Sequence, residues 1–225
     1  MAIPPESEGS DAGARQIPLA EANKAASSLA ECFSDDDVAR YYLQVSDSTR
    51  PLTASEASLN YQIYEALTIA HCCSGLVISA GPSHDCVSLW LPPNSSDWTW
   101  KTYWKSGLWL LWLRLGKEGR ARFFGSWETL EEGMTSIMGD RAAITWTLTD
   151  LGTIKSSRGK GYATKAMKYG LALADAQNQP TYVECFEYNV SFYERFGFKK
   201  QSTLSLDRAQ VPIILQTMVR EPGGG

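Results

Sequence analysis

The hydrophobic rhythm of the chain alternates between helical and extended periods. Between Leu19 and Leu43 apolar residues return at helical intervals. The run Ser34-Asp35-Asp36-Asp37 offers an N-cap and first-turn acids ahead of Val38, so two helices are predicted there. The stretch SEASLNYQIYEALTIAHC opens on a Ser55 cap and sets Leu59, Ile63, Ala66, Leu67 and Ala70 along one stripe, a third helix. The period then shortens. GLVISA and CVSLWLPP are short apolar runs joined by the turn-rich GPSHD and read as an antiparallel pair closed by Pro92 and Pro93.

Residues 99 to 116 return to the helical period, with Trp104, Leu108, Leu111, Trp112 and Leu115 on one apolar face. That face suits either the core or the wall of a substrate site, since concave ligand sites are commonly lined by aromatics. A further helix is predicted through WETLEEGMTSIM. AAITWTLTDLGTI, rich in Thr, Trp, Ile and Leu, reads as a strand. A helix from Tyr162 to Gln177, the strand TYVECF, a short helix NVSFYERFG with Gly197 as C-cap, and a last strand VPIILQTMVR complete the pattern. Helices and strands in this order predict an α/β layer architecture with a mixed sheet. The segments 1–14 and 221–225 lack periodicity and read as mobile tails flanking a single domain over 15–220.

Composition narrows the function. With 44% hydrophobic and 20% charged residues the chain is of ordinary globular type, and 225 residues suffice for one domain with a sizeable core. A net charge of −4 argues against general nucleic-acid binding, which depends on clustered Lys and Arg. Five cysteines, an odd number, and a start without an apolar leader predict a reducing, cytoplasmic setting. SGLWLLWLRLG is interrupted by Arg114 and falls short of the roughly 20 residues that span a bilayer, so no membrane partner is expected. His71, His84 and Cys86 lack zinc spacing, so no metal is expected. Cys185 reads as a small buried thiol.

The chemistry concentrates in SSRGKGYATKAMKYGLALAD, residues 156–175. Gly159 and Gly161 stand between a predicted strand and a helix N-terminus, where unpaired N–H groups and the helix dipole favour an anion. Lys155, Arg158, Lys160, Lys165 and Lys168 surround the turn, and no Asp or Glu occurs between Leu151 and Ala174. A phosphate-bearing ligand fits. The spacing of neither a P-loop nor a Rossmann turn is present.

Arg158, Gly161 and Ala163 match R/Q-x-x-G-x-G/A, the pyrophosphate loop of the GCN5-related N-acetyltransferase (GNAT) superfamily. DLGTIKSSRGKGYA upstream and PTYVECF with NVSFYERFGF downstream resemble that superfamily's neighbouring blocks at fitting distances. VSLWLPP and ECFSDDDVARYYL resemble its small-molecule branch, which includes puromycin N-acetyltransferase. The resemblance covers about residues 19–220. It implies the GNAT fold, a mixed central sheet flanked by helices, with the tryptophan-rich residues 98–127 as a helical insert between the third and fourth family strands. Lys155, Thr153 and Ala163 depart from the family pattern, and Thr145 stands where the branch often carries a histidine.

The resemblance further implies an acetyl-CoA-dependent N-acetyltransferase acting directly on the amine of a small, apolar or aromatic molecule, with the insert near the acceptor. Protein or peptide acetylation, or a catalytically silent coenzyme A-binding module, are the alternatives. Leu151, Gly152 and Thr153 would pair with the pantetheine arm. Arg158, Gly159, Lys160, Gly161, Tyr162 and Ala163 would hold the pyrophosphate. Asn189 would either cap its helix or bond the arm. Tyr193 is the expected general acid, because a phenol with pKa about 10 can protonate a thiolate whose thiol has pKa near 8.5. Asp150, then Glu184, or a water chain, is the expected base. A monomer or homodimer is expected.

Overall fold

The computed structural model describes residues 13–47, 49–93, 95 and 99–224. Seven strands, β1 (Ala14–Gln16), β2 (Leu76–Ala80), β3 (Cys86–Leu91), β4 (Trp146–Thr153), β5 (Thr181–Cys185), β6 (Lys199–Leu206) and β7 (Ile213–Arg220), form one sheet in the order β1-β2-β3-β4-β5-β7-β6. Every neighbouring pair is antiparallel except β4 and β5. A parallel pair needs a long crossover, and α7 (Tyr162–Ala176) supplies it. The remaining helices are α1 (Ala22–Cys32), α2 (Asp37–Tyr42), α3 (Ala54–Ser74), α4 (Trp100–Lys105), α5 (Leu108–Arg114), α6 (Lys117–Met138) and α8 (Val190–Glu194). None of the described helices is long and apolar enough to cross a membrane.

Helices cover both faces of the sheet. On one, Ala166, Met167, Leu171 and Ala174 of α7 meet Trp90, Trp146, Leu148, Val183 and Met218. On the other, Leu29 of α1 and Ile63 and Leu67 of α3 meet Val77, Val87 and Leu89. Strands buried on both faces read as continuous apolar runs, which is why GLVISA and CVSLWL lack polar alternation.

Several elements differ from the sequence reading. The cap of α3 is Thr53, two residues before the predicted Ser55. Its hydroxyl accepts from the Glu56 amide while the Glu56 carboxylate accepts from the Thr53 amide, a reciprocal box. The single aromatic helix predicted at 99–116 is two helices, α4 and α5. They are separated at Gly107, whose φ of +81° lies in the left-handed region. Leu108, Leu111 and Leu115 are buried, whereas Trp104 and Trp112 are 63% and 49% exposed. The apolar stripe therefore divides between core and surface. β1 escaped the pattern because three residues, two of them Arg15 and Gln16, carry no period, and the pairing with Ala80, Ser79 and Ile78 defines them. At the other end Glu221 pairs with Arg141 at 2.6 Å, and the Gly223 amide donates to Asp175 at 2.8 Å.

Gly170, in the middle of α7, faces the Trp90 indole, and a Cβ there would stand 2.4 Å from its ring. Glycine within a helix costs about 1 kcal/mol relative to alanine, so propensity favours replacement. Overpacking a filled core costs about 1–3 kcal/mol, and here it wins. Gly170→Ala is expected to lower Tm, as a thermal melt followed by circular dichroism will read.

Candidate active site

The site is built where a strand pair comes apart. β4 and β5 pair only from Trp146–Thr181 to Leu148–Val183. Beyond that β4 stays with β3 as far as Thr153, and β5 stays with β7 as far as Cys185. On the β3 side Leu89 faces Asp150 and Trp90 faces Leu148, so Thr149 is an extra residue, a bulge. A bulge bends its strand and re-aims the residues beyond it. The Thr149 hydroxyl donates to the Leu89 carbonyl at 3.2 Å and lies 3.0 Å from Nε2 of His71, whose Nδ1 is 2.7 Å from the Leu67 carbonyl. Burial pushes His71 down to about 4, so the ring stays neutral.

β4 leads through a 3-10 turn at Lys155–Ser157 into the glycine turn and α7. Gly159 and Gly161 both have φ of +79°, and nothing stands within 4 Å of a Cβ built on either. The turn therefore needs glycine for its left-handed backbone and not for space. Gly161 caps α7 without any side-chain bond, leaving the first amides of the helix directed to the open end. Acids missing from the local sequence arrive from elsewhere in the fold. Asp85 accepts from the Ser157 hydroxyl at 2.5 Å and from the Ser83 amide at 3.0 Å, and Lys160 donates to Ser157 at 3.3 Å. Lys155 pairs with Asp35 at 2.5 Å, so its charge answers a carboxylate.

The splay and the glycine turn enclose a cavity of about 800 Å³. Of the residues singled out by sequence, Leu151, Gly152, Thr153, Arg158, Gly159, Gly161, Tyr162, Ala163, Asn189 and Tyr193 line it. Lys160 does not line it and braces the turn through Ser157. Asp150 and Glu184 stand outside the lining as well. They sit on strand positions opposite Leu89 and Thr217, on the sheet face covered by α1 and α3. Asn189 is the N-cap of α8 but makes no side-chain cap bond.

Sequence reasoning missed Cys32, Phe33, Asp35 and Asp36, which close the cavity from the α1–α2 link. Gly152 admits that link: a Cβ there would meet Cys32 at 2.9 Å and Phe33 at 3.1 Å. The only local signal was the acidic run before Val38, which reads as a cap and indeed caps, Asp36 accepting from the Val38 and Ala39 amides at 2.9 and 3.1 Å. Tyr188, Phe192 and Arg195 complete the far wall. The exposed tryptophans of the insert line no part of this cavity.

Burial sets the ionisation of the site. It pushes Asp36 up to about 6 against its two amide bonds. Burial and then the Asp36 charge push Asp150 up to about 7, and burial pushes Glu184 up to about 7. Burial also raises the Tyr193 phenol well above its ordinary range, so the hydroxyl keeps its proton. Cys185 is pushed up to about 12 by burial and lies against Met218, an inert thiol. His84 is 2.9 Å from the Ser79 hydroxyl and 3.3 Å from Glu21, and among the described residues no three His, Cys, Asp or Glu side chains gather as a metal site.

Residues 84–198, which run from the β2–β3 turn past Tyr193, match the acetyltransferase (GNAT) family. Over 211 residues, 93% of this chain and 83% of the relative, it is 30% identical to an uncharacterized N-acetyltransferase of Schizosaccharomyces pombe. The chain belongs to the GNAT family. Solved structures share the GNAT fold at low identity. A polyamine N-acetyltransferase of Drosophila melanogaster superposes with a TM-score of 0.60 at 15% identity, covering 92% of this chain and 98% of that one. A mosquito arylalkylamine N-acetyltransferase-like protein, 5b, gives 0.55 at 15% over the same shares. A structure described as histone acetyltransferase HPA2 and related acetyltransferase, of Corynebacterium glutamicum, gives 0.59 at 17%, covering 94% and 96%. The splayed parallel pair and glycine turn thus belong to an acyltransferase of the GNAT family.

The raised carboxylates carry a sign. A carboxyl whose folded pKa exceeds its unfolded value of about 3.9 binds protons more tightly when folded, so stability falls as pH rises from about 4 through the folded value near 7. Asp150→Asn removes that penalty. The variant is expected to be more stable than the parent at pH 8, by up to about 4 kcal/mol, and nearly equal to it at pH 4. Urea unfolding at the two pH values checks this.

Proposed function

We propose that this chain takes its acyl group from acetyl-CoA and transfers it directly to the amine of a small molecule. One observation carries the reading: a cavity of about 800 Å³ at a strand splay, lined both by the anion-ready turn at 158–163 and by the buried Tyr193. Acetyl-CoA supplies a thioester already activated for attack. The amides from Arg158 to Ala163 would hold its pyrophosphate at the helix N-terminus. The edge of β4 over Leu151, Gly152 and Thr153, which β5 leaves unpaired, would accept the pantetheine arm as an added strand. Asn189, whose side chain makes no cap bond, is available to the same arm.

Tyr193 then has a proton to donate to the departing sulfur, and its depth in the fold fixes where that proton is held. Asp150, near neutrality, is the first candidate to take the proton of the amine, and Glu184 the second. Neither lines the cavity, so either one would work through water or from the acceptor side. Phe33, Tyr188 and Phe192 replace the insert as the aromatic wall favouring an apolar or aromatic acceptor. Polyamine and arylalkylamine-type N-acetyltransferases share the fold, which supports a small amine, but a structure described as a histone acetyltransferase shares it equally, so the choice against a peptide rests on the amine panel below.

Incubation of the protein with acetyl-CoA and a panel of amines, with free thiol as the readout, tests the proposal. Thiol release that requires an amine is expected. Binding of coenzyme A without turnover on any amine would identify a silent module instead. Tyr193→Phe is expected to lower kcat about 100-fold or more while leaving the Kd for coenzyme A within about twofold. Unchanged turnover removes Tyr193 from the chemistry. With an arylamine that titrates far below pH 6, kcat/KM is expected to rise with pH through a midpoint near 7, as ionisation of a carboxylate base requires. Loss of that limb in Asp150→Asn assigns it, and its persistence passes the role to Glu184 or to water.

A further inference from the structure

Outside the cleft, the strongest unexplained feature is the surface of α4 and α5. Trp100, Trp104, Trp112 and Leu113 are 75%, 63%, 49% and 60% exposed. Among the described residues the other exposed large apolar side chains, Leu19, Ile144, Tyr188, Val211 and Ile214, are scattered along the chain. Isolated exposed residues of that kind are ordinary, but a concentration within two short helices marks an interaction surface. Trp104 stacks on Trp109 with centroids 4.8 Å apart, so an exposed ring of α4 lies against one of α5. Beneath it Leu108, Leu111 and Leu115 anchor the helices in the core, so the exposed side is held in place.

The charge of this segment is opposite to that of the chain. From Thr99 to Arg122 there are six basic residues, Lys101, Lys105, Arg114, Lys117, Arg120 and Arg122, against the one acid Glu118, while the whole protein carries −4. Arg122 turns inward, to Glu118 at 2.9 Å and over the Tyr41 ring. Arg120 lies over the Trp112 ring at 4.3 Å, and Lys101 over Trp100 at 5.9 Å. Lys101, Lys105, Arg114 and Lys117 are exposed among the tryptophans.

We propose that the α4–α5 surface docks the protein onto an anionic lipid bilayer. Tryptophan beside Lys and Arg is the composition that settles at the boundary between headgroups and acyl chains: the ring enters the boundary and the cation meets the lipid phosphate. A second copy of the chain fits poorly, because a twofold interface sets each patch against itself and brings the basic groups together. Docking leaves the chain peripheral, and it revises the expectation of no membrane partner at the surface only. An association of this kind would give the enzyme access to amines dissolved in the bilayer.

Cosedimentation of the full chain with vesicles of pure phosphatidylcholine or of phosphatidylcholine with phosphatidylserine tests the proposal. Binding to the phosphatidylserine vesicles, a blue shift of tryptophan emission and weakening by salt are expected. Lys101→Gln with Lys105→Gln and Lys117→Gln is expected to lower that partitioning more than about tenfold, since each cation near an anionic surface contributes about fivefold. Trp104→Ser with Trp112→Ser is expected to lower it by about tenfold and to reduce the blue shift, Trp100 remaining. Circular dichroism melts show that each variant is folded. Absence of binding to both vesicle types overturns the proposal, as does binding that the lysine variant leaves unchanged. A dimer in light scattering that the tryptophan variant dissociates assigns the surface to self-association and overturns it equally.

Discussion

The molecule is organised around the point at which β4 stops bonding to β5. Backbone amides and carbonyls that lose a partner inside a protein need another, and the edge of β4 beyond Leu148 faces a cavity instead of a strand. The bulge at Thr149 keeps β4 on β3 while it diverges from β5, and His71 and the Leu89 carbonyl hold that bulge from behind. The same strand then delivers the glycine turn and the amides of α7 to the mouth of the gap. Unpaired backbone and unpaired helix amides are thus brought to one place by a single change of strand direction.

Closing the gap from the far side brings a cost in charge. The α1–α2 link can approach β4 because Gly152 has no side chain, and it carries Asp36 toward Asp150. Two half-buried carboxylates whose charges act on each other cannot both ionise easily, and their raised pKa values express this. A base poised near neutrality is useful to proton transfer from an amine and harmful to folding. Burial acts in the same direction on Tyr193, raising its phenol so that the proton stays in place.

Much of this is legible in the linear sequence. The glycine turn, the aromatic block around Tyr193 and the order of strands and helices are local patterns, and they lie where the pattern puts them apart from β1 and the division of the aromatic helix at Gly107. The features that mislead depend on distant partners. Lys155 reads locally as charge for a phosphate, yet Asp35, 120 residues earlier, meets it. Ser55 looks like a cap because caps are chosen among neighbouring hydroxyls, and the reciprocal bond with Glu56 selects Thr53. The tryptophan-rich segment looks like one helical face, but Gly107 breaks it and its rings turn outward.

The sequence by itself determined most of the elements, the backbone freedom of Gly159 and Gly161, and the residue types able to hold an anion and give a proton, because periodicity and glycine torsion act within a few residues. Tertiary structure alone decided that Asp36 confronts Asp150, that Asp85 steadies the turn, and that Asp150 and Glu184 stand outside the cavity lining. These facts depend on desolvation and on contacts between segments far apart in the chain, and neither is written in local order.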